Sequence, residues 1–232
     1  MTSLPELQQI IDQIGRENIW RPVFNHEHEA VFDGVGTHRD YLDETLGRHE
    51  FNNKSVLDLG CNLGYYSFLA ERLGCRRVVG LDINPLMIRG CEILKKYYGL
   101  KRCSFMVADF TGDCGGEQGD IGLLLDFIGK NVIKKQKLAP VLLNLKNLIR
   151  SELHISLHTE YDIERDLKMG IGEFSLIYPD RFIKNNRFQL LDYVLSVLDT
   201  DWRLDSTISG EHLACNHKYP LHLVRKTSEN QP

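Results

Sequence analysis

The sequence lacks four features that would place it in a special class of protein. No apolar run is long enough to span a bilayer, and the longest are strand-sized pieces such as residues 121–125. The six cysteines never form a close C-x-x-C pair, which argues against a cysteine-based zinc site. The opening residues lack the basic start and apolar stretch of a secretory leader. The net charge of −4 gives no global reason to bind nucleic acid or an anionic membrane.

The composition that is present is typical of a globular protein. Hydrophobic residues make up 42% and charged residues 26% of the 232 positions, close to the averages for folded domains. A chain of this length buries enough surface to need no disulfides, and α/β folds of this size are routinely one unit. Scattered single cysteines inside apolar segments indicate buried thiols in a reducing compartment. We therefore expect a soluble cytoplasmic protein without membrane attachment.

The chain divides into an N-terminal extension, residues 1–53, and a domain spanning residues 54–232. In the extension, Leu7, Ile10, Ile11 and Ile14 recur at helical spacing and predict an amphipathic helix. The stretch from Trp20 to Arg39 mixes aromatic residues, histidines and glycines without a clear period. It is expected to be an irregular lead-in that covers part of the domain.

From Lys54 to His158 short β-rich runs alternate with longer helical runs. Predicted strands cover residues 55–59, 77–81, 103–107, 121–125 and 153–158, and predicted helices cover residues 65–73 and 85–98. Such alternation implies right-handed crossovers and a parallel sheet covered on both faces. A further helix is expected near residues 181–198. Two last strands, residues 202–208 and 219–224, have the spacing of a hairpin that would add an antiparallel edge.

The most informative stretch is the run VLDLGCNLGYY, residues 56–66, in which a buried strand enters a glycine-containing turn followed at once by a helix. Glycines let the backbone pass close to a ligand, and a helix N-terminus offers N–H groups. Asp58, at the strand end, would repel a pyrophosphate but attract an ammonium group. Asp82 ends the next strand, where an acid can accept hydrogen bonds from both ribose hydroxyls. These residues predict a site for a nucleoside that carries a cationic amine.

At this point the sequence resembles the class I S-adenosylmethionine-dependent methyltransferases. The glycine motif of that family follows the pattern D-x-G-x-G-x-G, and Asp58, Gly60 and Gly64 occupy three of its fixed places. Asn62 replaces the middle glycine. Asparagine is the residue after glycine that best tolerates left-handed backbone angles, so we expect the turn to be preserved.

The resemblance implies a fold, a cofactor and a set of binding residues. The implied fold is α/β and Rossmann-like, a doubly wound, mostly parallel seven-stranded sheet with an antiparallel C-terminal hairpin. The implied cofactor is S-adenosyl-L-methionine. The residues implied to bind it are Asp58, Gly60, Cys61, Asn62 and Gly64 at the methionine end, Asp82 at the ribose, Ile83 on the adenine, and Asp109 with Phe110 at the adenine edge. Asp126 and Phe127, just past the fourth strand, are also implied to contact the cofactor, and they match the place where such enzymes begin to shape the substrate site.

The methyl acceptor is expected to be a small molecule. The sequence N-P-P-Y, typical of enzymes that methylate nucleic-acid amines, is absent, and D-F-I-G stands at residues 126–129. Two alternatives stay open: an RNA (tRNA) methyltransferase and a non-catalytic methyltransferase-like binding protein. Residues 55–81 have a weak likeness to wobble-uridine tRNA-modifying relatives, and the acid-free basic stretch at residues 130–150 is able to meet phosphates. A solvated helical face is the preferred interpretation of that stretch.

Catalysis is expected to involve His158 and Asp126. On the fifth strand His154, Ser156 and His158 alternate onto one face, and His158 lies nearest the end where ligands bind in open α/β sheets. A weakly nucleophilic acceptor needs a base, and histidine suits that task near neutral pH. A hydrogen-bonded structural role for His158 is the alternative. No metal is expected, because the pair His154 and His158 shows no third ligand at a supporting spacing.

Three other histidines lie in the N-terminal extension. His26 and His28 flank Glu27 in the irregular lead-in and are expected to be surface groups. His38, followed by Arg39 and Tyr41, is placed to form part of a cover over the acceptor.

Overall fold

The alternation of strands and helices predicted from the sequence is present in the computed structural model, which describes residues 4–36, 40–112, 116–207 and 218–226. The helices are α1 (Leu4–Ile14), α2 (Asp40–Gly47), α3 (Tyr65–Arg72), α4 (Pro85–Tyr98), α5 (Lys130–Lys134), α6 (Leu138–Leu148), α7 (Ile171–Ser175) and α8 (Leu190–Leu198). The strands are β1 (Val23–Phe24), β2 (Ala30–Phe32), β3 (Ser55–Leu59), β4 (Arg77–Asp82), β5 (Cys103–Val107), β6 (Gly119–Leu124), β7 (Ile149–Leu157), β8 (Tyr161–Asp162), β9 (Ile183–Lys184), β10 (Arg187–Phe188), β11 (Trp202–Thr207) and β12 (Tyr219–Arg225). Short 3₁₀ turns occupy Arg16–Asn18 and Asp180–Phe182.

The chain forms two compact units, residues 1–123 and residues 124–232. In the first unit β3 pairs in parallel with β4 on one side and with β6 on the other, and β4 pairs in parallel with β5. All five residues of β3 are buried, as expected for a central parallel strand. Strand order reverses between β3 and β6, and ligands of open α/β sheets bind at the carboxyl ends of strands at such a point.

Helix α4 shows how local signals set an element of the first unit. The side chain of Asn84 accepts a hydrogen bond from the backbone N–H of Leu86 at 3.0 Å, Pro85 opens the helix, and Gly99 ends it with φ +69°. These bounds agree with the prediction. The predicted N-terminal helix α1 is also confirmed, and it packs on α4. The exposed side chains of Glu6 on α1 and Arg89 on α4 form an ion pair at 2.8 Å.

The lead-in after α1 contains regular structure that its sequence did not indicate. Strands β1 and β2 form an antiparallel hairpin. The Asn25 side chain accepts hydrogen bonds from the backbone N–H groups of Glu27 and Glu29, which closes the turn between them. The hydroxyl of Tyr98 on α4 donates to the carbonyl of Phe24 at 2.8 Å. The predicted boundary at residue 53 stays a prediction.

The second unit is built on the antiparallel strands β7, β12 and β11, and a small separate sheet has the order β8-β10-β9. The helix expected over residues 181–198 begins only at Leu190, so that prediction was wrong in its first half. Asn185 and Asn186, both with positive φ, form a two-residue turn between β9 and β10. The apolar spacing of this segment suits a helix and a tight hairpin equally, and the asparagine pair decides for the hairpin.

The order β11-β12-β7-β6-β3-β4-β5 describes one mostly parallel, seven-stranded sheet with an antiparallel C-terminal hairpin. The predicted α/β, Rossmann-like fold class is confirmed. Cys61, Cys75, Cys91 and Cys103 are buried free thiols, as expected, whereas Cys114 and Cys215 lie outside the described residues. Among the helices described, none has the length and apolar character needed to cross a membrane.

Candidate functional site

Every second residue in the turn after β3 has a left-handed backbone angle. Gly60, Asn62 and Gly64 have φ values of +75°, +52° and +80°. A Cβ atom at Gly64 would lie 3.0 Å from Phe68 and 3.1 Å from Phe105, so a side chain at this position would be crowded by two rings as well as strained in its backbone angle. The expectation that Asn62 adopts the left-handed angle of the replaced glycine is confirmed.

Asp58 lies at the buried end of β3, with 2% of its surface exposed. The hydroxyl of Ser67, on α3, donates a hydrogen bond to its Oδ2 at 2.6 Å. Burial raises the pKa of Asp58 to about 7, and the nearby charge of Asp82 adds to the rise while the Ser67 hydrogen bonds oppose it. A cation placed beside this carboxyl would favour its ionised form.

Asp82 ends β4 and ties the turn to the next helix. Its Oδ2 accepts a hydrogen bond from the backbone N–H of Asn62 at 3.0 Å, and its Oδ1 accepts one from that of Asn84 at 2.9 Å. Burial raises the pKa of Asp82, although these backbone N–H groups work against the rise. Each oxygen has a second lone pair, so the carboxylate holds the turn in place and keeps acceptor capacity for hydroxyl groups.

Next to Asp82, two apolar side chains stand in solvent at the ends of neighbouring strands. Ile83 is 62% exposed and Val107 is 51% exposed, and Val107 is the register partner of Asp82 on β5. An exposed isoleucine at this place fits its expected role against a flat apolar ring. Val107 was missed in the sequence analysis, because only the parallel register brings it opposite Asp82.

Asp109 and Phe110, which follow β5, differ in their surroundings. Asp109 is exposed, and its Oδ1 accepts hydrogen bonds from the backbone N–H of Thr111 at 3.0 Å and from its hydroxyl at 2.6 Å. Phe110 is 5% exposed and belongs to the core. The pair therefore presents a carboxylate in a fixed turn, with the aromatic ring directed into the protein.

The lead-in from the N-terminus is anchored on the glycine turn. The Asn62 side chain donates from Nδ2 to the carbonyl of Asn18 at 2.8 Å, and its Oδ1 accepts from the backbone N–H of Trp20 at 3.4 Å. The asparagine that replaces a glycine thus supplies a contact that glycine has no atoms to make.

Arg21, which the sequence analysis missed, follows directly. Its guanidinium lies 4.2 Å from the ring centroid of Tyr65 and 2.7 Å from Oδ2 of Asp43, the oxygen to which the Tyr65 hydroxyl also donates at 2.6 Å. Tyr65 is the first residue of α3, so a buried cation is held at the helix start beside the turn. No spacing in the sequence connects residue 21 with residue 65, and this contact depends on tertiary structure alone.

In the second unit, Asp126 adopts a left-handed backbone angle, φ +56°, two residues after β6 ends. Its backbone N–H donates to the hydroxyl of Ser156 at 2.8 Å. Its Oδ1 lies 3.4 Å from Nζ of Lys218, and both side chains are at most 6% exposed. A buried charge pair beside a strained residue is typical of functional sites. Lys218 was missed because it precedes the last strand, far along the chain.

The remaining predicted residues of the second unit lie close to this pair in the chain. Phe127 is half-buried. His158 follows the last residue of β7, is half-buried, and has its ring 5.3 Å edge-on from that of Tyr161. Ser156, which receives the Asp126 N–H, comes two residues before His158. His38 and Arg39 of the predicted cover lie outside the described residues, as does the side chain of Tyr41.

Comparison with known proteins agrees with this arrangement. The profile of a methyltransferase domain matches residues 50–167, which is just over half of the chain. The chain belongs to the methyltransferase family. The left-handed turn between Asp58 and Asp82 lies inside the matched region, and the predicted membership of the class I S-adenosylmethionine-dependent enzymes is confirmed.

Two curated relatives match this methyltransferase over short stretches. It is 42% identical over 82 residues to the tRNA U34 carboxymethyltransferase of Shewanella sp. (strain W3-18-1), covering 34% of this chain and 24% of that protein. It is 36% identical over 74 residues to the 7SK snRNA methylphosphate capping enzyme of Mus musculus, covering 31% of this chain and 11% of that protein. Both matches span a quarter or less of the relative's length.

A solved structure matches over a longer range. The crystal structure of magnesium protoporphyrin IX methyltransferase from Synechocystis PCC 6803 with bound S-adenosylmethionine superposes with a TM-score of 0.54. The sequences are 17% identical, and the match covers 81% of this chain and 77% of that one. This likeness supports the shared fold.

Proposed function

We propose that this methyltransferase transfers the methyl group of S-adenosylmethionine to a small-molecule acceptor. The observation that carries the proposal is a pair of carboxyl groups, the buried Asp58 and the half-buried Asp82, on adjacent parallel strands with the left-handed turn of residues 60–64 between them. One acid suits an ammonium group and the other suits a ribose, and a glycine-type turn admits a ligand between them.

Each part of the cofactor has a matching group in the first unit. Asp58 and the turn, including Cys61 and Asn62, hold the methionine end, and the guanidinium of Arg21 is placed to attract the carboxylate of that end. Asp82 accepts hydrogen bonds from the ribose hydroxyls.

The adenine is contacted by groups at the carboxyl ends of β4 and β5. Ile83 and Val107 offer exposed apolar surface for the flat ring, and Asp109 offers a carboxylate oxygen to the amino group of the ring.

The sulfonium of the cofactor supplies an already activated methyl group, so the chain's own residues mainly place the acceptor. Asp126 and Phe127 shape the acceptor site, with the left-handed angle at Asp126 fixed by Ser156 and its charge balanced by Lys218. His158 removes the acceptor proton at a ring nitrogen when the acceptor is a hydroxyl. Tyr161, edge-on to the His158 ring, limits its rotation.

An RNA acceptor is the second candidate. It is favoured by the names of the two curated relatives and by exposed lysines at positions 134, 135 and 137. Against it stand the net charge of −4 and the small share of each relative that is matched. We therefore place the small-molecule acceptor first.

The decisive experiment supplies the protein with methyl-labelled S-adenosylmethionine and separate RNA, protein and small-metabolite fractions of a cell extract. We expect label in the small-metabolite fraction with the wild type and much less label with the Asp82→Ala variant when the cofactor is not saturating. Label in RNA, with binding that weakens steeply as salt rises, would favour the RNA candidate instead. Cofactor binding without label in any fraction would show a binding protein rather than an enzyme.

A further inference from the structure

A cluster of metal-ligating side chains lies in the second unit, on residues that the proposed methyl transfer does not use. Strands β7 and β12 pair in antiparallel register with His154 directly opposite His222. Glu152 precedes His154 by two residues and therefore projects from the same face of β7. The register thus gathers two imidazoles and a carboxylate on one face of a two-strand ribbon.

The three side chains are close together; the two histidines are buried and Glu152 is half-buried. The His154 and His222 rings are stacked, with centroids 4.6 Å apart and planes 12° from parallel. Nε2 of His222 lies 3.2 Å from Oε2 of Glu152. One ligand atom from each of the three residues lies within 4.8 Å of the others, and the two histidines are 2% and 7% exposed.

A fourth group orients one of the ligands. Nδ1 of His222 lies 3.4 Å from Oδ2 of Asp205 on β11. A second carboxylate therefore lies beside the ring at Nδ1, while Nε2 faces Glu152. Nε2 of His222 and Oε2 of Glu152 are both atom types that coordinate divalent cations, so an ion can replace the contact between them.

We infer that Glu152, His154 and His222 form a binding site for a divalent metal ion of the zinc class. Two imidazole nitrogens and one carboxylate oxygen are a donor set that Zn²⁺ accepts, and three protein ligands leave one coordination position for water or a further donor. Asp205 acts behind His222 as a positioning residue. The ion joins β7 to β12 and so stabilises the antiparallel pairing of these two strands.

From the sequence we considered only His154 and His158 as a pair of ligands, and we expected no metal there because no third ligand lies at a supporting spacing. That expectation stays a prediction. The ligand set inferred here takes Glu152 and His222 in place of His158. His222 is 70 residues from Glu152 in the chain, so only the strand register reveals the third ligand.

The test measures metal uptake by the full chain, purified without a histidine tag and stripped with a chelator. Zn²⁺ is titrated against a chromophoric competitor, and Co²⁺ is added separately to record its visible spectrum. We expect one equivalent of Zn²⁺ per chain and the intense bands of four-coordinate Co²⁺. The nearly isosteric Glu152→Gln change and the His222→Gln change should each weaken Zn²⁺ binding at least about tenfold, and Asp205→Asn should weaken it by about tenfold, the lower end of the effect of orienting groups.

The matched control is His26→Gln, because His26 is an exposed histidine that stacks on Tyr97 in the first unit. This variant should bind Zn²⁺ like the wild type. Zn²⁺ should also raise the melting temperature of the wild type and of His26→Gln, but not that of Glu152→Gln. Wild-type protein that takes up no stoichiometric Zn²⁺, or a folded Glu152→Gln variant that binds Zn²⁺ as tightly as the wild type, would overturn the inference. His222 would then be a structural histidine held between Glu152 and Asp205.

Discussion

The two units of this protein assemble their polar groups in different ways. In residues 1–123, Asn62 and Asp82 are only 20 residues apart in the chain and form a hydrogen bond, because consecutive parallel strands end at the same edge of the sheet. In residues 124–232, His222 meets Glu152 across 70 residues through an antiparallel register. The first kind of site is visible in a sequence as a spaced motif, whereas the second becomes visible only when the strand pairing is known.

The largest effect is expected from Gly64→Val in the first unit. The variant combines left-handed strain with a clash against Phe68 and Phe105, which together should cost about 2–5 kcal/mol of unfolding free energy. Urea unfolding measures the loss, and cofactor binding should disappear with it.

Gly99→Val is the matched control, since Gly99 has φ +69° and no atom within 4 Å of an added Cβ. This variant should lose only the unfolding free energy that the left-handed strain costs, about 1–2 kcal/mol, and it should keep cofactor binding. Equal losses in the two variants would show that the turn at Gly64 is not specially packed.

Asp82→Ala should weaken S-adenosylmethionine binding by about 1–3 kcal/mol, the scale of lost charged hydrogen bonds. Because the carboxylate also accepts the backbone N–H groups of Asn62 and Asn84, some loss of stability should accompany it. Calorimetry measures the affinity, and Glu92→Ala, an acid on the following helix α4, serves as a control for charge. A folded variant with unchanged affinity would mean that the ribose binds elsewhere.

His158→Ala tests the second unit. Turnover on the identified acceptor should fall at least about tenfold, the low end of the cost of losing a general base, while cofactor affinity changes little. His28→Ala, an exposed histidine outside this unit, should leave turnover unchanged. Undiminished turnover in His158→Ala would make His158 structural and leave placement of the acceptor as the source of rate.

A further prediction concerns pH. Because the pKa of Asp58 is about 7, ionisation of this carboxyl should strengthen cofactor binding as pH rises, by up to about tenfold per unit below pH 7 and little above it. Below pH 7, binding should release up to one proton, measured by calorimetry in buffers of different ionisation enthalpy.

Stability should follow the opposite course. The folded pKa lies above the unfolded value of 3.8, so the ligand-free protein holds a proton that the unfolded chain gives up, and its stability should fall as pH rises from about 4 to about 7. Asp58→Asn should abolish both trends. A pH dependence that survives in this variant would assign it to another group.

Elements set by local chemistry were predictable. Asn84, Pro85 and Gly99 fix the ends of α4 through capping, a preset φ and a left-handed stop, each acting within a few residues. The predicted start of α8 was too early, because the apolar spacing of residues 181–189 suits both a helix and a hairpin. The turn at Asn185 and Asn186, which decides for the hairpin, was given too little weight.

The sequence by itself determined the strand–turn–helix around Asp58 and the acid at the end of the next strand, since backbone angles and short crossovers act locally. Tertiary structure alone decided the placement of Arg21 over Tyr65, of Lys218 beside Asp126, and of His222 against His154. Those contacts depend on which strands become neighbours and in what register. That choice is made by burial of the whole apolar surface and leaves no fixed spacing in the chain.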